Sequence, residues 1–340
     1  MKEYLKKLAR PVLASYIRND FFHFGNELTV LMYHRVLPEG EASSETVQPG
    51  MAVTIDTFKK HLHWLQDKYE LVHLGDWCDK AKAGLPVPPR ACAITFDDGW
   101  YDNYQYAFPI LKELNVPITV FLPAGIIENR TRFWPERLAD FLWNSGRGID
   151  SSQFNDDDLR WLTTLGGSYE FYGAVPSRSH IDELIGMAKS YEDSFIHDKL
   201  DKLLAITKPG SYESNVDELV DWEHARLMCE SGLVEYGSHG MNHVRLGEVM
   251  RKGDLEEEVV SSKALIEKRM QVEINLFSYP NGDYCRQSKA LVDSVYKGVC
   301  ITKRGVNKSN GDIKMLKRIS MHEAVTSNET DFFCRLSGVM

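Results

Sequence analysis

The chain has 340 residues, 43% hydrophobic and 26% charged, long enough to bury one large core or two ordinary ones. Its formal net charge of -9 excludes a general nucleic-acid binder, which needs a basic surface for phosphates, but leaves neutral substrates open. No apolar run reaches the ~20 residues of a membrane-spanning helix. Six scattered cysteines without a CxxC pair (Cys78, Cys92, Cys229, Cys285, Cys300, Cys334) read as buried free thiols of a reducing compartment.

Residues 1–24 carry charge throughout and no unbroken apolar core, so they do not read as a secretory signal and a cytoplasmic protein is expected. Leu5, Leu8, Val12, Leu13 and Tyr16 line one side of a helix, opposite Lys2, Lys6, Lys7 and Arg10. That helix is expected to pack on the domain, with peripheral membrane contact as the second reading. Residues 28–33 (LTVLMY) read as a buried strand, and so do 92–96 and 118–122. Between the first two, Phe58, Leu62, Leu65 and Tyr69 mark a helix, and 105–115 reads as another. From 129 to 221 the sequence turns polar and helical, with the acidic run Asp156, Asp157, Asp158, and is expected to be an insertion. Its opening, FWPERLADFLW, could roof a groove. Helices at 222–232 and 257–270 then precede strands at 233–239 and 274–280. Repeated strand-helix-strand units imply a parallel α/β sheet, open or closed into a barrel.

Two strand ends carry chemistry. ITFDDGWYDNY (94–104) sets Asp97 beside Asp98 with Gly99 behind them. Such a pair suits a turn, yet folding gains nothing from adjacent carboxylates. YGSHGMNH ends the run 233–236 and holds His239 and His243 at i and i+4, so that on a helical turn both imidazoles face one ion. One Asp and two His form a set suited to a catalytic zinc with open positions. Two acids then have two tasks: one binds the metal, and its neighbour takes a proton from water, with a sharp turn at Gly99 bringing both into the site. Trp100, Tyr101, Trp134, Trp222 and Tyr284 lie near these motifs as candidates for stacking on sugar rings.

TFDDG, then H-x-x-x-H, then a Pro-Gly loop resembles the NodB-type polysaccharide deacetylases of carbohydrate esterase family 4. The resemblance implies a distorted (β/α)7 barrel spanning residues 25–340 and interrupted by 129–221. It also implies a divalent metal (Zn2+, with Co2+, Ni2+ or Mn2+ as alternatives) and removal of N-acetyl groups from carbohydrates. The family pattern carries over to Asp97 as general base and to Asp98, His239 and His243 as metal ligands. In the loop FSYPNG, the Asn281 backbone N–H would stabilise the oxyanion, and Tyr279, Pro280 and Trp100 would line the substrate position.

Two departures stand out. The family's R-x-P-Y/F motif has Ser278 at its arginine position, and Arg318 in LKRISM is the candidate replacement. The family's late L-x-L-x-H motif has its better copy at the beginning, in VLMYHRV, which resembles the circularly permuted branch that includes poly-N-acetylglucosamine deacetylases. This points to His34 as the general acid, with His322 in reserve. Two other functions fit the same residues: hydrolysis of another small amide, and a non-catalytic carbohydrate-binding relative.

Overall fold

The computed structural model describes residues 26–44, 47–145, 161, 177–206 and 219–337. The helix expected over residues 1–24 and the acidic run 156–158 lie outside them. The strands among the described residues are β1 (Glu27–Tyr33), β2 (Arg35–Leu37), β3 (Ala52–Thr54), β4 (Glu70–Leu71), β5 (Ala91–Phe96), β6 (Ile118–Leu122), β7 (Val234–Ser238), β8 (Leu276–Ser278), β9 (Gly298–Cys300), β10 (Asn307–Lys308) and β11 (Ile319–Ser320).

The main sheet runs β1-β5-β6-β7-β8-β9 with every neighbouring pair parallel. It then closes on itself. Leu316 bridges Cys300 in parallel, Ile301 N donates to Leu316 O, and β11 pairs parallel with β1 on the side away from β5. Residues 313–321 thus bond to β9 on one flank and β1 on the other, completing the expected barrel. β10 pairs antiparallel with the start of β1, and β4 flanks the start of β5. The strand that ends at His34 precedes the Asp97 strand in the chain and lies directly beside it, the permuted order.

These short runs form buried parallel strands because both faces are apolar, and the period of two sorts them. Leu28, Val30, Ala91, Ala93, Phe121, Leu276 and Cys300 pack in one cluster. Their strand neighbours Leu31, Tyr33, Cys92, Ile94, Phe96, Val120, Phe277 and Val299 belong to another, under the helices. The helix Ile55–Gln66 shows how that outer layer is made. Thr54 caps it by accepting from Thr57 N at 3.1 Å, and Phe58, Leu62 and Leu65 form its buried stripe. Two helices differ from their expected form by including a π turn: Asn103–Ala107 before Phe108–Leu114, and Glu257–Ser261 between Lys252–Glu256 and Ser262–Met270.

Contacts divide the chain into two units, the second comprising residues 44–48 and 130–215. This corrects the expected insertion of 129–221. Residues 219–221 belong to the barrel unit, where Val220 N donates to Gly99 O and Asp221 caps the helix Trp222–Glu230. The second unit has its own core, with Leu138, Leu142, Ile181, Leu184, Ile196 and Leu200 fully enclosed between the helices Trp134–Ser145, Arg178–Ala188 and Asp193–Ile206. Trp134 is part of that core, which leaves its ring no face for a sugar. All six cysteines are free, but Cys229 and Cys285 are only half-buried, unlike the four others. Among the described residues no helix is long and apolar enough to cross a membrane.

Candidate metal centre and catalytic residues

Alternation along β5 places Asp97 on the same face as Ala91, Ala93 and Thr95. The chain must then turn at once for Asp98 to follow it inward. It does so at Asp98 itself, whose φ is +74°, and continues through Gly99 at +69°. A side chain on Gly99 would meet Leu122 Cδ2 at 2.7 Å, so this turn needs glycine. The turn therefore starts one residue earlier than expected, with the left-handed strain on a ligand-bearing residue.

Asp97 is buried and gripped by a buried Arg318. Nη1 and Nη2 of the guanidinium reach Asp97 Oδ1 and Oδ2, each at 2.7 Å. Arg318 also donates to Thr95 Oγ1 at 3.2 Å and to Ser278 Oγ at 2.8 Å. The arginine that the motif lacks at Ser278 arrives from 40 positions further on and bonds to the serine that stands in its place. Burial pushes the Asp97 carboxyl up, but Arg318, with His239 and His34, more than offsets this and holds it well below the usual carboxylate range.

One oxygen each of Asp98 and one nitrogen each of His239 and His243 lie within 4.8 Å of one another. Both imidazole Nε2 atoms are 3.5 Å from Asp98 Oδ1. Two ligands on a tetrahedral zinc at ordinary bond lengths stand about 3.3 Å apart, so the spacing suits an ion. His239 Nδ1 donates to Ser278 O at 2.7 Å, which leaves Nε2 with its lone pair. Burial lowers the His239 pKa to about 4, against the pull of Asp97, so the ring is neutral as a ligand must be. The donor set fits a divalent metal.

The expected helical turn for the two histidines is absent. Residues 239–243 form a loop outside any helix, with Gly240 at φ +82° and His243 at +57°, and the loop rather than helical pitch brings the rings to 4.8 Å between centroids. Trp100 also differs from its expected place against substrate. It is 2% exposed, donates Nε1 to Asp98 Oδ2 at 3.1 Å, and stacks under the Arg35 guanidinium, 4.2 Å from the ring. Tyr279 is 1% exposed, packed against Phe277 and Tyr284, and Pro280 is buried beside it. These two shape the loop from within. Asn281 is exposed, with φ +55°, in the tight turn Pro280–Gly282. Trp222 is held by Glu128 Oε2 at 2.7 Å, Tyr101 lies edge-on to His224, and Tyr284 is 39% exposed.

His34 follows Tyr33, which pairs with Phe96, so His34 and Asp97 stand at the next positions of neighbouring strands. His322 follows β11 on the other side of β1, where Met321 N donates to Met32 O. Both histidines have a buried Nδ1 with no hydrogen-bond partner among the described residues. Burial lowers the His322 pKa, and the charges of Arg335 and His34 lower it further.

Several supporting residues escape sequence reasoning. Asp102 is buried and accepts from Arg35 Nε at 2.8 Å and Val36 N at 2.9 Å, while Asn103 Nδ2 donates to His34 O at 2.9 Å. Glu258 is buried against the histidine loop. Arg35 had a readable signal, a charge inside the apolar run VLMYHRVL. Asp102 and Glu258 had none.

A closed parallel barrel with an acid pair and a two-histidine cluster at its strand C-terminal ends is the architecture of a metal-dependent hydrolase. The polysaccharide deacetylase family model matches residues 84–149 and 195–296. The match covers just under half of the chain. The chain is 27% identical over 138 residues to YxkH, a Bacillus subtilis protein named as a polysaccharide deacetylase, covering 40% of this chain and 46% of that one. It is 30% identical over 101 residues to the poly-beta-1,6-N-acetyl-D-glucosamine N-deacetylase of Escherichia coli, covering 29% of this chain and 14% of that protein. The matches thus span less than half the length of either relative. The fold matches the Streptococcus pyogenes deacetylase PplD, solved in complex with acetate, with a TM-score of 0.58 at 16% identity over 91% of this chain and 98% of that one.

Proposed function

We propose that the chain is a metal-dependent hydrolase that removes the N-acetyl group from an amino sugar in a polysaccharide, glycolipid or glycan precursor, with zinc as its ion. One observation carries this reading: Asp98, His239 and His243 converge one residue away from an acid held ionised by Arg318. The polysaccharide deacetylase family match and the Escherichia coli relative's named substrate support the sugar.

A divalent ion held by Asp98, His239 and His243 would polarise the acetyl carbonyl and lower the pKa of water. The chain's own residues do the rest. Asp97 accepts the proton of the attacking water as the new C–O bond forms. Its partner Arg318 keeps the carboxylate turned to one orientation, so the base is pre-aligned. The backbone N–H of Asn281 donates to the oxygen that gains charge. His34 then gives a proton to the nitrogen as the C–N bond breaks, releasing acetate and a free amine. His34 stands beside the base, at the next position of the neighbouring strand.

The same proposal places the enzyme in the cytoplasm, with membrane contact through residues 1–24 as the second reading of their amphipathic pattern, after packing on the domain. Fractionation of the full chain against one lacking residues 1–24 tests that part, and equal distribution would remove it. The main test pairs metal content with acetate release from N-acetylhexosamine oligomers. Wild type is expected to hold about one ion per chain and release acetate, and His239→Ala to lose both. A wild type that holds metal but releases acetate only from other amides would reassign the substrate, and one that holds no metal would end the reading.

A further inference from the structure

We propose that Glu258 is the positioning residue that sets the separation of His239 and His243, and through it the site's affinity for its metal. The inference rests on the metal-binding reading above and adds to it a residue outside the family motifs discussed so far.

His239 is fixed directly: its backbone N donates to Leu122 O at 2.9 Å, and its ring donates to Ser278 O. His243 lies four residues on, half-buried, at the end of a loop that passes through Gly240 and reaches His243 with φ at +57°. A non-glycine residue in that region is under strain and stays there only when its surroundings dictate it. Ala124 N and Gly125 N hold the start of the loop by donating to Gly240 O at 3.0 Å and Met241 O at 2.7 Å, and one carboxylate holds the stretch next to His243. Glu258 Oε2 accepts from Met241 N at 2.9 Å and Asn242 N at 3.0 Å, and Oε1 accepts from Asn242 Nδ2 at 3.0 Å. The backbone N–H of Val244 also donates to this carboxylate. The bonds thus bracket His243 on both sides. Two oxygens with about four lone-pair directions meet the donors of one loop.

The element that delivers Glu258 is built for this position. It lies in the π turn Glu257–Ser261, and such single turns add a residue to a helix and redirect side chains at functional sites. The next residue, Ser262, meets Ser238 Oγ at 2.9 Å, and Ser238 Oγ accepts from Gly240 N at 3.2 Å. The same short segment therefore supports the loop before and after Gly240. The fit is close: a Cβ on Gly240 would stand 2.9 Å from Glu258 Oε2.

Glu258→Gln keeps the shape but replaces one acceptor oxygen with an NH2 that faces backbone N–H groups. Metal-free protein would be titrated with Zn2+ and with Co2+, reading the dissociation constant and the Co2+ absorption spectrum, alongside kcat and KM at saturating metal. The expected result is affinity weakened about ten- to a hundredfold with an altered Co2+ spectrum, and KM for the sugar unchanged. A merely structural residue would lower the melting temperature of the metal-free protein and leave both metal readouts alone. Gly240→Ala breaks the same clamp from the loop side and is expected to weaken Co2+ binding likewise, so a Glu258 variant that fails to fold does not remove the test. Wild-type affinity and spectrum in these variants would overturn the assignment. A wild type that binds neither ion overturns the metal-site reading itself, which is a different result.

Discussion

Asp97 and Asp98 are neighbours in the chain, yet the two sides of the site they open are held by different means. The base side is rigid and charged: Asp97 sits at the end of a strand, and a buried guanidinium from the segment that closes the ring grips both its oxygens. The ligand side is held by neutral groups and one carboxylate. Trp100 Nε1 holds Asp98, a carbonyl holds His239, and backbone N–H groups tie the His243 loop to Glu258. Electrostatics explains the division. A cation bonded to Asp98 would compete with the metal for the same oxygens, whereas a cation on Asp97 keeps that acid ionised and turned in one direction. Adjacent acids can take two roles because the backbone turn sends them to opposite kinds of support.

That contrast can be broken in three places, from the largest expected effect down, with a fourth variant as control. Asp97→Asn should retain metal and lose about a hundred- to ten-thousand-fold in turnover, the usual weight of a general base. Loss of metal in that variant would dissolve the distinction between the two sides. Arg318→Met leaves Asp97 buried without its partner and should cost about 3–5 kcal/mol of stability by chemical denaturation, with metal binding kept by the folded fraction. An unchanged unfolding midpoint would mean the pair is not what holds the base side. Trp100→Phe keeps the ring under Arg35 but deletes the bond to Asp98, and should weaken metal binding roughly tenfold by titration. If it lowered turnover with affinity intact, Trp100 would belong to the base side.

The smallest effect is a control remote from both. His61 is buried, with Nε2 donating to Thr326 O at 2.7 Å and Nδ1 accepting from Tyr33 at 3.0 Å. Burial lowers its pKa from 6.5 to about 4, only partly offset by the Thr326 carbonyl. The folded state therefore binds fewer protons than the unfolded state between those values. Its contribution is present above about pH 6.5 and falls on acidification toward pH 4, by up to about 1.4 kcal/mol per pH unit. His61→Gln should flatten that slope in melting curves without touching metal affinity, and a wild-type slope would assign the acid sensitivity elsewhere.

The sequence shows the barrel and the acid and histidine motifs because each is a local pattern. Buried strands such as residues 118–122 announce themselves as short apolar runs, and Asp97, Asp98, His239 and His243 stand together in two octets or less. Arg318 could be named as a candidate but not placed, since its link to Asp97 crosses 221 positions and depends on ring closure. The helical turn expected for the two histidines failed because i,i+4 spacing is also compatible with a loop, and Gly240 selects the loop. Trp100 looked like a sugar platform because exposure is invisible in a string of letters. Glu258 was hidden among the acids of an ordinary amphipathic helix, since a π turn has no compositional mark. Asp102 stood in the acid-pair stretch 94–104, where no letter points to its bond with Arg35 across 67 positions.

The closing segment at residues 313–321 joins two events that need not coincide. The strand that seals the ring also delivers the countercharge for Asp97, so before it docks, the first acid of the pair faces a half-built interior without a partner. Assembly of this catalyst is consequently ordered: the ligand cluster, contributed by β5 and β7, can form early, while the base is armed only by the last strand of the ring to be synthesised. Long-range pairing of this kind is slow relative to local structure. In refolding experiments metal uptake should therefore precede activity, and simultaneous recovery of the two would show that the ring closes in one step.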